Sequence, residues 1–431
     1  MRVVDLVEKK RLNKELTKEE IQFLINSYVK NETPDYQMSA FLMAVMFNGM
    51  TATEIATMTD FMMHSGDVID LSEIPGIKVD KHSTGGIGDK TTLAVAPIVA
   101  ACGAPVAKMS GRGLAQTGGT IDKLESIPGF TVELSEKAFI EQVKNHNIAV
   151  IGQSAKLVPA DKKLYALRDV TSTVESIPLI ASSIMSKKLA TGANAILLDV
   201  KCGNGAFMKD FESATALAKT MISIGKELNV DVRAEITNMS RPIGREIGNK
   251  NEVLEAIRTL EGQGPADFNE LVYSSCATIL EQAKVAKNHE EALQMVDEVI
   301  KNGKALEKFY EFVKLQNGNV EKLKAADFWN PKYKLEVIAD QEGYLEIFDS
   351  LVFGIVSMKL GAGRRTKEDE LDFEAGITLN KKTNEQVSKG DVLFTLYSSN
   401  PIDLELVEEL KQGYRFNQAM VENKIILDKL K

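Results

Sequence analysis

The sequence predicts an α/β protein with three parts: an N-terminal helical domain, a central mostly parallel α/β domain and a C-terminal β-rich α+β domain. Three observations predict this plan. Helical periodicity dominates the first 66 residues, strand-like and helical stretches alternate from about residue 76, and short β-runs separated by glycine-rich turns follow residue 340. A chain of 431 residues is also long enough for two or three domains. The predicted domains comprise residues 1–66 with about 160–192, residues 76–155 with 193–335, and residues 340–431.

The N-terminal segment carries two helix-start signals. Thr17 and Glu20 have the spacing of a capping box, as do Thr51 and Glu54. Between them, the apolar stretch "YQMSAFLMAVMFNG" predicts a helix that ends at Asn48-Gly49. We therefore expect a small helical bundle here, in which the methionines serve as core filler.

The central segment alternates between two kinds of pattern. Helical stretches such as "TTLAVAPIVAACG" and "ESATALAKTMISIGKEL" separate strand-like runs, which indicates βαβ units. The helical segment from Pro159 to Gly192 interrupts this alternation, and we expect it to pack with the N-terminal helices. The predicted strands are "IKVD", "APVAKMS", "NIAVIG", "AILLDVK" and "DVRAEIT".

The last segment reads as β-runs between turns. Its "VSKGDVLFTLY" is similar to the half-barrels of lipoyl-type carrier modules, but no lysine stands in the carrier motif. A structural role is the interpretation that we prefer for this domain.

Composition excludes several functions. A formal net charge of −9 argues against a nucleic-acid-binding protein. No apolar run is long enough to span a membrane and no signal peptide is apparent, so we expect no membrane partner. The three cysteines are far apart in sequence and form neither a disulfide pattern nor a metal-ligand pattern, which favours a cytoplasmic location.

The stretch "KHSTGGIGDKTT" has the composition of an anion-binding loop. It is neither a Walker A sequence nor a G-x-G-x-x-G sequence, because Asp89 precedes Lys90 and Thr91 stands where the last glycine would be. Glycines nevertheless allow close backbone approach, and amide donors converge at the start of the following helix. The alternative is a glycine-rich connection whose polar residues are merely solvated.

A second loop, "MSGRGLAQTGGTIDKLE", follows the next strand. Lys108, Ser110, Thr117 and Thr120 supply donors around four glycines, and both loops should face one crevice at the carboxyl ends of parallel strands. We interpret Arg112, Asp122 and Glu125 as an ion-pair network that fixes this loop. A third loop, "VKCGNGAFM", either lines the same site or is a simple turn.

Three polar residues stand out in the interrupting helical segment. Ser183 and Lys187 are four residues apart and share a helix face, and Arg168 precedes them. Their donors suit a ligand that displays carbonyl groups, such as a pyrimidine base. The alternative is that they are exposed helix residues without a ligand.

Several of these motifs, in the same order, resemble the thymidine and pyrimidine-nucleoside phosphorylases. The similarity is carried by "DKHSTGGIGDKTT", "SGRGLAQTGGTIDKLE", "YALRDVTSTVESIPLIASSIMSKK" and "GNKNEVLEAI", and it extends over nearly the whole chain. The "VAKMSGRG" stretch is more similar to the broad pyrimidine enzymes than to the strict thymidine phosphorylases.

The resemblance implies a homodimeric pentosyltransferase of nucleoside salvage. Its substrates would be a pyrimidine nucleoside (uridine, deoxyuridine or thymidine) and inorganic phosphate, and its products the free base and α-D-(deoxy)ribose 1-phosphate. Arg168, Ser183 and Lys187 would bind the base, and His82, near the base carbonyl, would join Arg168 and Lys187 in catalysis. The residues implied in phosphate binding are Lys81, His82, Ser83, Thr92, Lys108, Met109, Ser110 and Thr120.

The resemblance also implies a potassium ion, held mostly by backbone oxygens, and no organic cofactor. The implied ligands are Gly88, Lys90, Ile243, Glu246 and Glu255. Arg241 and Lys250 depart from the family pattern near this site, where glutamine and alanine are usual, and Gln116 stands where histidine is usual.

Two rivals of other kinds remain. An anthranilate-type phosphoribosyltransferase shares the helical and α/β plan but requires magnesium for a pyrophosphate. A nucleotide-binding or carrier protein built on the β-rich domain would bind without turnover.

Overall fold

The structure is a computed structural model of the chain. It describes residues 1–113, 118–154, 156–366 and 368–431. Gln116 and Thr117, both singled out in the second loop, lie outside the described residues. None of the helices within the described ranges is long and apolar enough to cross a membrane.

Four helices open the chain where the capping signals predict them. The Thr17 hydroxyl accepts a hydrogen bond from the Glu20 amide and the Glu20 carboxylate accepts one from the Thr17 amide, and Thr51 and Glu54 repeat this arrangement. The helices are α1 (Val3–Arg11), α2 (Lys18–Val29), α3 (Asp35–Asn48) and α4 (Ala52–Met63).

Five parallel strands form the centre of the molecule, as the apolar runs predict. Their order is β5-β4-β1-β2-β3, and every residue of β4 is buried because helices cover both faces of the sheet. The strand β1 continues to Ser83, so His82 and Ser83 lie at a strand end rather than within a loop. The strands are β1 (Val79–Ser83), β2 (Val106–Ser110), β3 (Ile148–Gly152), β4 (Ala195–Cys202) and β5 (Asp231–Asn238).

The helices of the central segment follow these strands. The first of them, α5, is almost entirely buried against α12 and α14. They are α5 (Thr91–Ala101), α6 (Thr120–Glu125), α7 (Glu136–His146), α8 (Pro159–Asp169), α9 (Ile177–Ala190), α10 (Phe211–Glu227), α11 (Lys250–Leu260), α12 (Ala266–Gln282), α13 (His289–Lys301), α14 (Lys304–Leu315) and α15 (Val320–Lys324).

The interrupting segment is helical and packs on the N-terminal bundle. Helix α8 contacts α2, α3 and α4, and α9 packs along α4 and α10. Leu164 and Leu179 share one apolar core with Leu24 and Phe41 of the N-terminal helices. The helical domain is therefore assembled from two separate stretches of the chain.

The C-terminal segment forms two antiparallel sheets with two helices. One sheet has the order β10-β8-β12 and the other the order β6-β9-β11-β7. Their elements are β6 (Glu246–Gly248), β7 (Tyr333–Ile338), β8 (Gly343–Ile347), α16 (Ser350–Leu360), β9 (Gly376–Leu379), β10 (Gln386–Val387), β11 (Val392–Ser398), α17 (Glu405–Leu410) and β12 (Tyr414–Asn417).

Two strands cross the predicted boundary between the α/β and the C-terminal domains. The last strand, β13 (Ile426–Leu430), pairs antiparallel with β5 and becomes the sixth strand of the central sheet. In return, β6 of the central segment pairs with β9 of the C-terminal segment. This exchange ties the β-rich domain to the sheet that carries the site.

Candidate active site

A cleft of about 670 Å³ lies between the carboxyl ends of the central strands and the helices α8 and α9. It brings together all three loops that the sequence singled out. Seven of the eight predicted phosphate residues line it: His82, Ser83, Thr92, Lys108, Met109, Ser110 and Thr120.

Four buried lysines lie at the strand ends and share two aspartates, and two of them, Lys108 and Lys188, also line the cleft. Lys108 and Lys188 approach the Asp80 carboxylate at 3.4 and 2.9 Å. The second carboxylate, Asp199, accepts from Lys81 and Lys201, each at 2.7 Å. We call this set, Lys81, Lys108, Lys188 and Lys201 with Asp80 and Asp199, the strand-end lysine cluster. The eighth predicted phosphate residue, Lys81, lies here, behind the residues that line the cleft.

The cluster faces carboxylates beyond its two aspartates. Asp89 lies beside it, and the lysines Lys201 and Lys81 hold the pKa of Asp89 well below its usual range despite burial. Glu235 also acts on Lys81, so four lysines face four carboxylates. Burial lowers the pKa of Lys108, and the charges of Lys188 and Lys81 add to the effect against the opposing Asp80, so that it falls to about 7. An anion bound beside Lys108 would favour its charged form.

The first loop is fixed by hydrogen bonds to Asp89. Its carboxylate accepts from the Ser83 hydroxyl and, at 2.5 Å, from the Thr91 hydroxyl at the start of α5. Gly85 has a φ of +90° and donates its amide to Ser83 Oγ at 3.1 Å. The cleft is therefore bordered by the first turn of α5, with Thr92 facing it.

The second loop is held by the predicted ion-pair network. Arg112 binds Glu125 through two guanidinium nitrogens, one at 2.9 Å. Asp122 accepts from the amides of Gly113 and Gly119 and forms its close ion pair, at 2.8 Å, with Arg364. Arg364 belongs to the C-terminal domain and was not part of the predicted network.

The third loop lines the cleft and is more than a turn. Gly205, Ala206 and the exposed Phe207 face the cleft together with Lys209. A Cβ atom at Gly205 would lie 2.0 Å from Ser350 Oγ, so the close approach of α16 requires glycine here.

The opposite wall is formed by α8 and α9. Lys187 donates to Ser183 Oγ at 2.9 Å and pairs with Asp161, so two of the predicted base residues lie together. Lys187 lines the cleft, with Tyr165 and Glu175 beside it, whereas Ser183 lies behind it. Asp161 was not predicted as a site residue.

Arg168 is placed differently from the prediction. Its guanidinium donates to the carbonyl oxygens of Val174, Leu179 and Thr173 at 2.7, 3.1 and 3.2 Å. The side chain is buried and is absent from the cleft lining. Here Arg168 fixes the connection between α8 and α9.

His82 lies where the two walls meet. Burial lowers the pKa of His82 well below its usual range, and the surrounding Lys188, Lys108, Lys187 and Lys81 lower it further. The imidazole is therefore neutral. Its Nε2 atom is buried and has no hydrogen-bond partner among the described residues.

The five residues implied in potassium binding also come together, around an ammonium group. The Nζ atom of Lys90 lies 3.0 Å from the Ile243 carbonyl oxygen, 2.9 Å from the Glu246 carbonyl oxygen and 2.5 Å from Glu255 Oε2. The Gly88 carbonyl accepts the backbone amide of Lys90 at 3.0 Å. We call these three oxygens with the Lys90 side chain the Lys90 cage.

The Lys90 cage does not fit a resident potassium ion. Burial alone would lower the pKa of Lys90, but the nearby carboxylates of Glu255, Glu252 and Glu246 outweigh it and raise the pKa. A protonated lysine already supplies one positive charge to these oxygens.

Arg241 and Lys250, the two departures near this site, do not take part in the cage. Arg241 donates to the Ile347 carbonyl oxygen at 3.1 Å, and Lys250 pairs with Glu374. Both side chains therefore fasten the C-terminal domain.

Sequence reasoning missed Lys188, Asp80 and Asp199. In β4, Asp199 and Lys201 are two residues apart, so the period of a strand places them on one face. Charged residues at that spacing in an otherwise apolar strand were the available signal. Nothing in the sequence distinguished Lys188 from the neighbouring Lys187. In the structure the buried Nζ atom of Lys188 donates to the Met109 carbonyl oxygen at 2.7 Å.

Three family models match the chain in succession. Residues 4–66 match the helical bundle domain of a glycosyl transferase family, and residues 76–306 match the α/β domain of that family. Residues 344–417 match the pyrimidine nucleoside phosphorylase C-terminal domain. Together the matches cover most of the chain.

Curated relatives are similar along their full length. A pyrimidine-nucleoside phosphorylase of Staphylococcus haemolyticus is 53% identical over 431 residues, covering 100% of this chain and 99% of the relative. One of Geobacillus stearothermophilus is 52% identical over 432 residues, with 100% of both chains covered. Among solved structures, anthranilate phosphoribosyltransferase of Thermus thermophilus superposes with a TM-score of 0.57 at 17% identity, covering 72% of this chain and 98% of that one. At that identity the likeness shows the fold alone.

Proposed function

Because the chain belongs to the pyrimidine-nucleoside phosphorylase family, we propose that it catalyses the reversible phosphorolysis of uridine, deoxyuridine and thymidine. The products are the free base and α-D-(deoxy)ribose 1-phosphate, so the enzyme is a pentosyltransferase of pyrimidine salvage. The observation that carries the proposal is the cleft, in which Lys108, Lys188 and several hydroxyl groups at the strand ends face Lys187 on α9.

The strand ends supply the phosphate side. Thr92, Ser110 and Thr120 line this part of the cleft, and each offers a hydroxyl donor. Ser83 lines it beside them, with its hydroxyl donating to Asp89. Lys108, which shares the Asp80 carboxylate with Lys188, completes the set with a positive charge when it is protonated. Charge-assisted hydrogen bonds from such a group are about twice as strong as neutral ones.

The helical wall supplies the base side. Lys187, held by Asp161 and Ser183, reaches the cleft and can donate to a carbonyl oxygen of the base. Phe207 and Tyr165, both exposed, offer aromatic surface beside it. A nucleoside that spans the cleft thus meets donors at one end and hydroxyl groups and ammonium charge at the other.

The reaction needs no side-chain nucleophile. A phosphate oxygen forms the new bond to C1′ of the sugar while the bond from C1′ to N1 of the base breaks, and the electron pair of that bond leaves with the base. Negative charge then develops on the base, and donors already aimed at it stabilise the transition state. Lys187 and neutral His82 can donate there, and the departing base takes up one proton, which balances the proton that the attacking hydrogen phosphate loses.

The buried Nε2 atom of His82 supports its role toward the substrate. A buried polar atom without a partner costs free energy, so such atoms are rare away from functional sites. With the pKa of His82 far below neutrality, the imidazole acts as a neutral hydrogen-bonding group rather than as an acid. Arg168 could contact the base only after releasing the carbonyl oxygens that it now binds.

We also propose a homodimer formed through the helical domain. Tyr36 and Phe47 are eleven residues apart on α3, which places them on one helix face, and both are exposed. Val4 and Leu12, exposed on the adjacent α1 and just after it, extend this apolar surface. A second copy of the chain would cover it. The free cysteines Cys102, Cys202 and Cys276 support a reducing, cytoplasmic setting.

Incubation of the purified protein with uridine or thymidine, with and without inorganic phosphate, tests the proposal. We expect free base to form from both nucleosides only when phosphate or arsenate is present. Equal release without phosphate would indicate a hydrolase, and release from thymidine alone would indicate a strict thymidine phosphorylase. Binding without any turnover would favour a carrier protein.

A further inference from the structure

The Lys90 cage joins the base of the phosphate loop to the C-terminal half of the molecule. Lys90 directly follows Asp89, which holds Ser83 and Thr91, and it stands at the start of α5. The three cage oxygens come from Ile243 just before β6, from Glu246 at the start of β6 and from Glu255 on α11. A cation at this position therefore fastens two segments that are more than 150 residues apart.

Every donor of the ammonium group is used within the cage. Its three N–H groups meet three acceptors, and the Phe268 ring centroid lies 5.3 Å from Nζ on another side. The Lys90 side chain is fully buried, with no exposed surface. The ammonium group therefore has no free donor for a further ligand.

Two glycines allow the backbone to pack closely around the cage. A Cβ atom built on Gly88 would lie 2.6 Å from the Ile243 carbonyl oxygen. One built on Gly244 would lie 2.3 Å from Glu255 Oε2 and 2.8 Å from Lys90 Nζ. A metal ion inserted here would also meet the ammonium at close range, where like charges repel strongly in a buried site.

We propose that the Lys90 side chain replaces a bound monovalent cation in this protein, so that neither its stability nor its phosphate site depends on potassium. Backbone carbonyl oxygens and one carboxylate form a site suited to a single positive charge, and lysine supplies that charge covalently. The folded protein then pays no entropic cost for binding a free ion, and the cage oxygens keep their cation at any potassium concentration.

Thermal unfolding in matched chloride salts of potassium, sodium and choline is the first test. For the unaltered protein we expect melting temperatures that agree within about 1 °C at equal ionic strength, because no ion binds the folded state selectively. A melting temperature that rises with potassium concentration, while sodium and choline leave it unchanged, would overturn the proposal. This readout involves no turnover, so it stands apart from the proposed function.

The variant Lys90→Thr converts the cage into an open site. Glu255 is then buried without its partner, and we expect the melting temperature in choline to fall by roughly 5–10 °C. Added potassium should restore most of this loss in a concentration-dependent manner, because the ion binds only the folded state. A folded Lys90→Thr protein whose melting temperature does not change with potassium concentration would contradict the proposal.

Two further variants serve as matched controls. Lys90→Met fills the cage with an uncharged chain of similar length, so potassium should not rescue it. The double variant Lys90→Thr/Glu255→Gln lacks the anionic acceptor and should respond to potassium at least tenfold more weakly than Lys90→Thr, since a charged acceptor binds more strongly than a neutral one. Equal rescue of all three would place the potassium effect outside the cage and refute the assignment.

Thallium ions give a direct structural readout. In crystals soaked with thallium, anomalous signal should appear between Ile243, Glu246 and Glu255 in Lys90→Thr and be absent there in the unaltered protein. Signal in the unaltered cage would contradict the proposal. Should Lys90→Thr not fold, the salt comparison and the soak of the unaltered protein decide the matter alone.

Discussion

The strand-end lysine cluster and the Lys90 cage use the same buried side chain in opposite ways. In the cage, three acceptors satisfy one ammonium, and the pKa of Lys90 is raised. In the cluster, two aspartates are each shared by two lysines, and the pKa of Lys108 is lowered to about 7. Lys90 has a full set of acceptors and holds two segments together, whereas Lys108 donates to the shared Asp80 and to the Lys81 carbonyl oxygen, and we propose that it also binds an anion.

Removal of each ammonium should separate these two roles. We expect Lys90→Met to cost about 3–5 kcal/mol of stability, since it leaves Glu255 buried and unpaired. Lys108→Met should instead raise the KM for phosphate by roughly 10–150-fold, the equivalent of about 1.5–3 kcal/mol, and lower the melting temperature less than Lys90→Met does. Denaturation curves and phosphate kinetics on both variants provide the comparison. A stability loss in Lys108→Met as large as that in Lys90→Met would erase the distinction.

Substitutions on the two walls of the cleft should have different kinetic effects. Lys187→Met removes a donor on the base side. We therefore expect a lower kcat or a higher KM for the nucleoside, equivalent to about 1.5–2 kcal/mol, with little change in the KM for phosphate. Lys187→Arg, which keeps the charge, should retain more activity. If Lys187→Met raised the KM for phosphate and Lys108→Met raised that for the nucleoside, our assignment of walls to substrates would be wrong.

His82 offers a finer test because the charges of Lys108 at the strand ends and of Lys187 on α9 both act on it. His82→Asn keeps a neutral donor but moves it, and we expect kcat to fall by roughly tenfold to a hundredfold with little change in the KM for phosphate. The kcat profile of the unaltered enzyme should show no limb from His82 near its ordinary pKa, since the imidazole is already neutral there. Unchanged turnover in His82→Asn would reduce the residue to a structural role.

The fold could be predicted because its signals are local. Apolar runs located all five parallel strands, and the pairs Thr17–Glu20 and Thr51–Glu54 located two helix starts. The exchange of β6 and β13 between sheets could not be predicted in this way, because pairing of distant strands leaves no mark in either short segment.

The candidate site was predictable in its outline only. Glycine-rich loops after parallel strands located the cleft, since strand ends of one sheet meet at one edge. The partners of each charge depend on three-dimensional packing, and so the sharing of Asp80 by Lys108 and Lys188 was invisible in the sequence. The family resemblance implied Lys90 as a mostly backbone ligand of potassium, whereas its side chain places an ammonium group at that position.

Proton uptake on anion binding tests most directly whether the strand-end lysine cluster reserves a charge for phosphate. Sulfate is a suitable probe because, unlike phosphate, it does not itself titrate near neutrality. An anion favours the charged form of Lys108, so its affinity should fall as the pH rises through about 7, and sulfate binding should take up a proton above that pH.

Calorimetric titration with sulfate at about pH 8, in buffers of different ionisation enthalpy, measures this uptake. We predict close to one proton taken up per sulfate bound, little uptake at about pH 6, and a marked reduction in Lys108→Met. Sulfate binding without proton uptake at about pH 8, or uptake unchanged in Lys108→Met, would contradict the account.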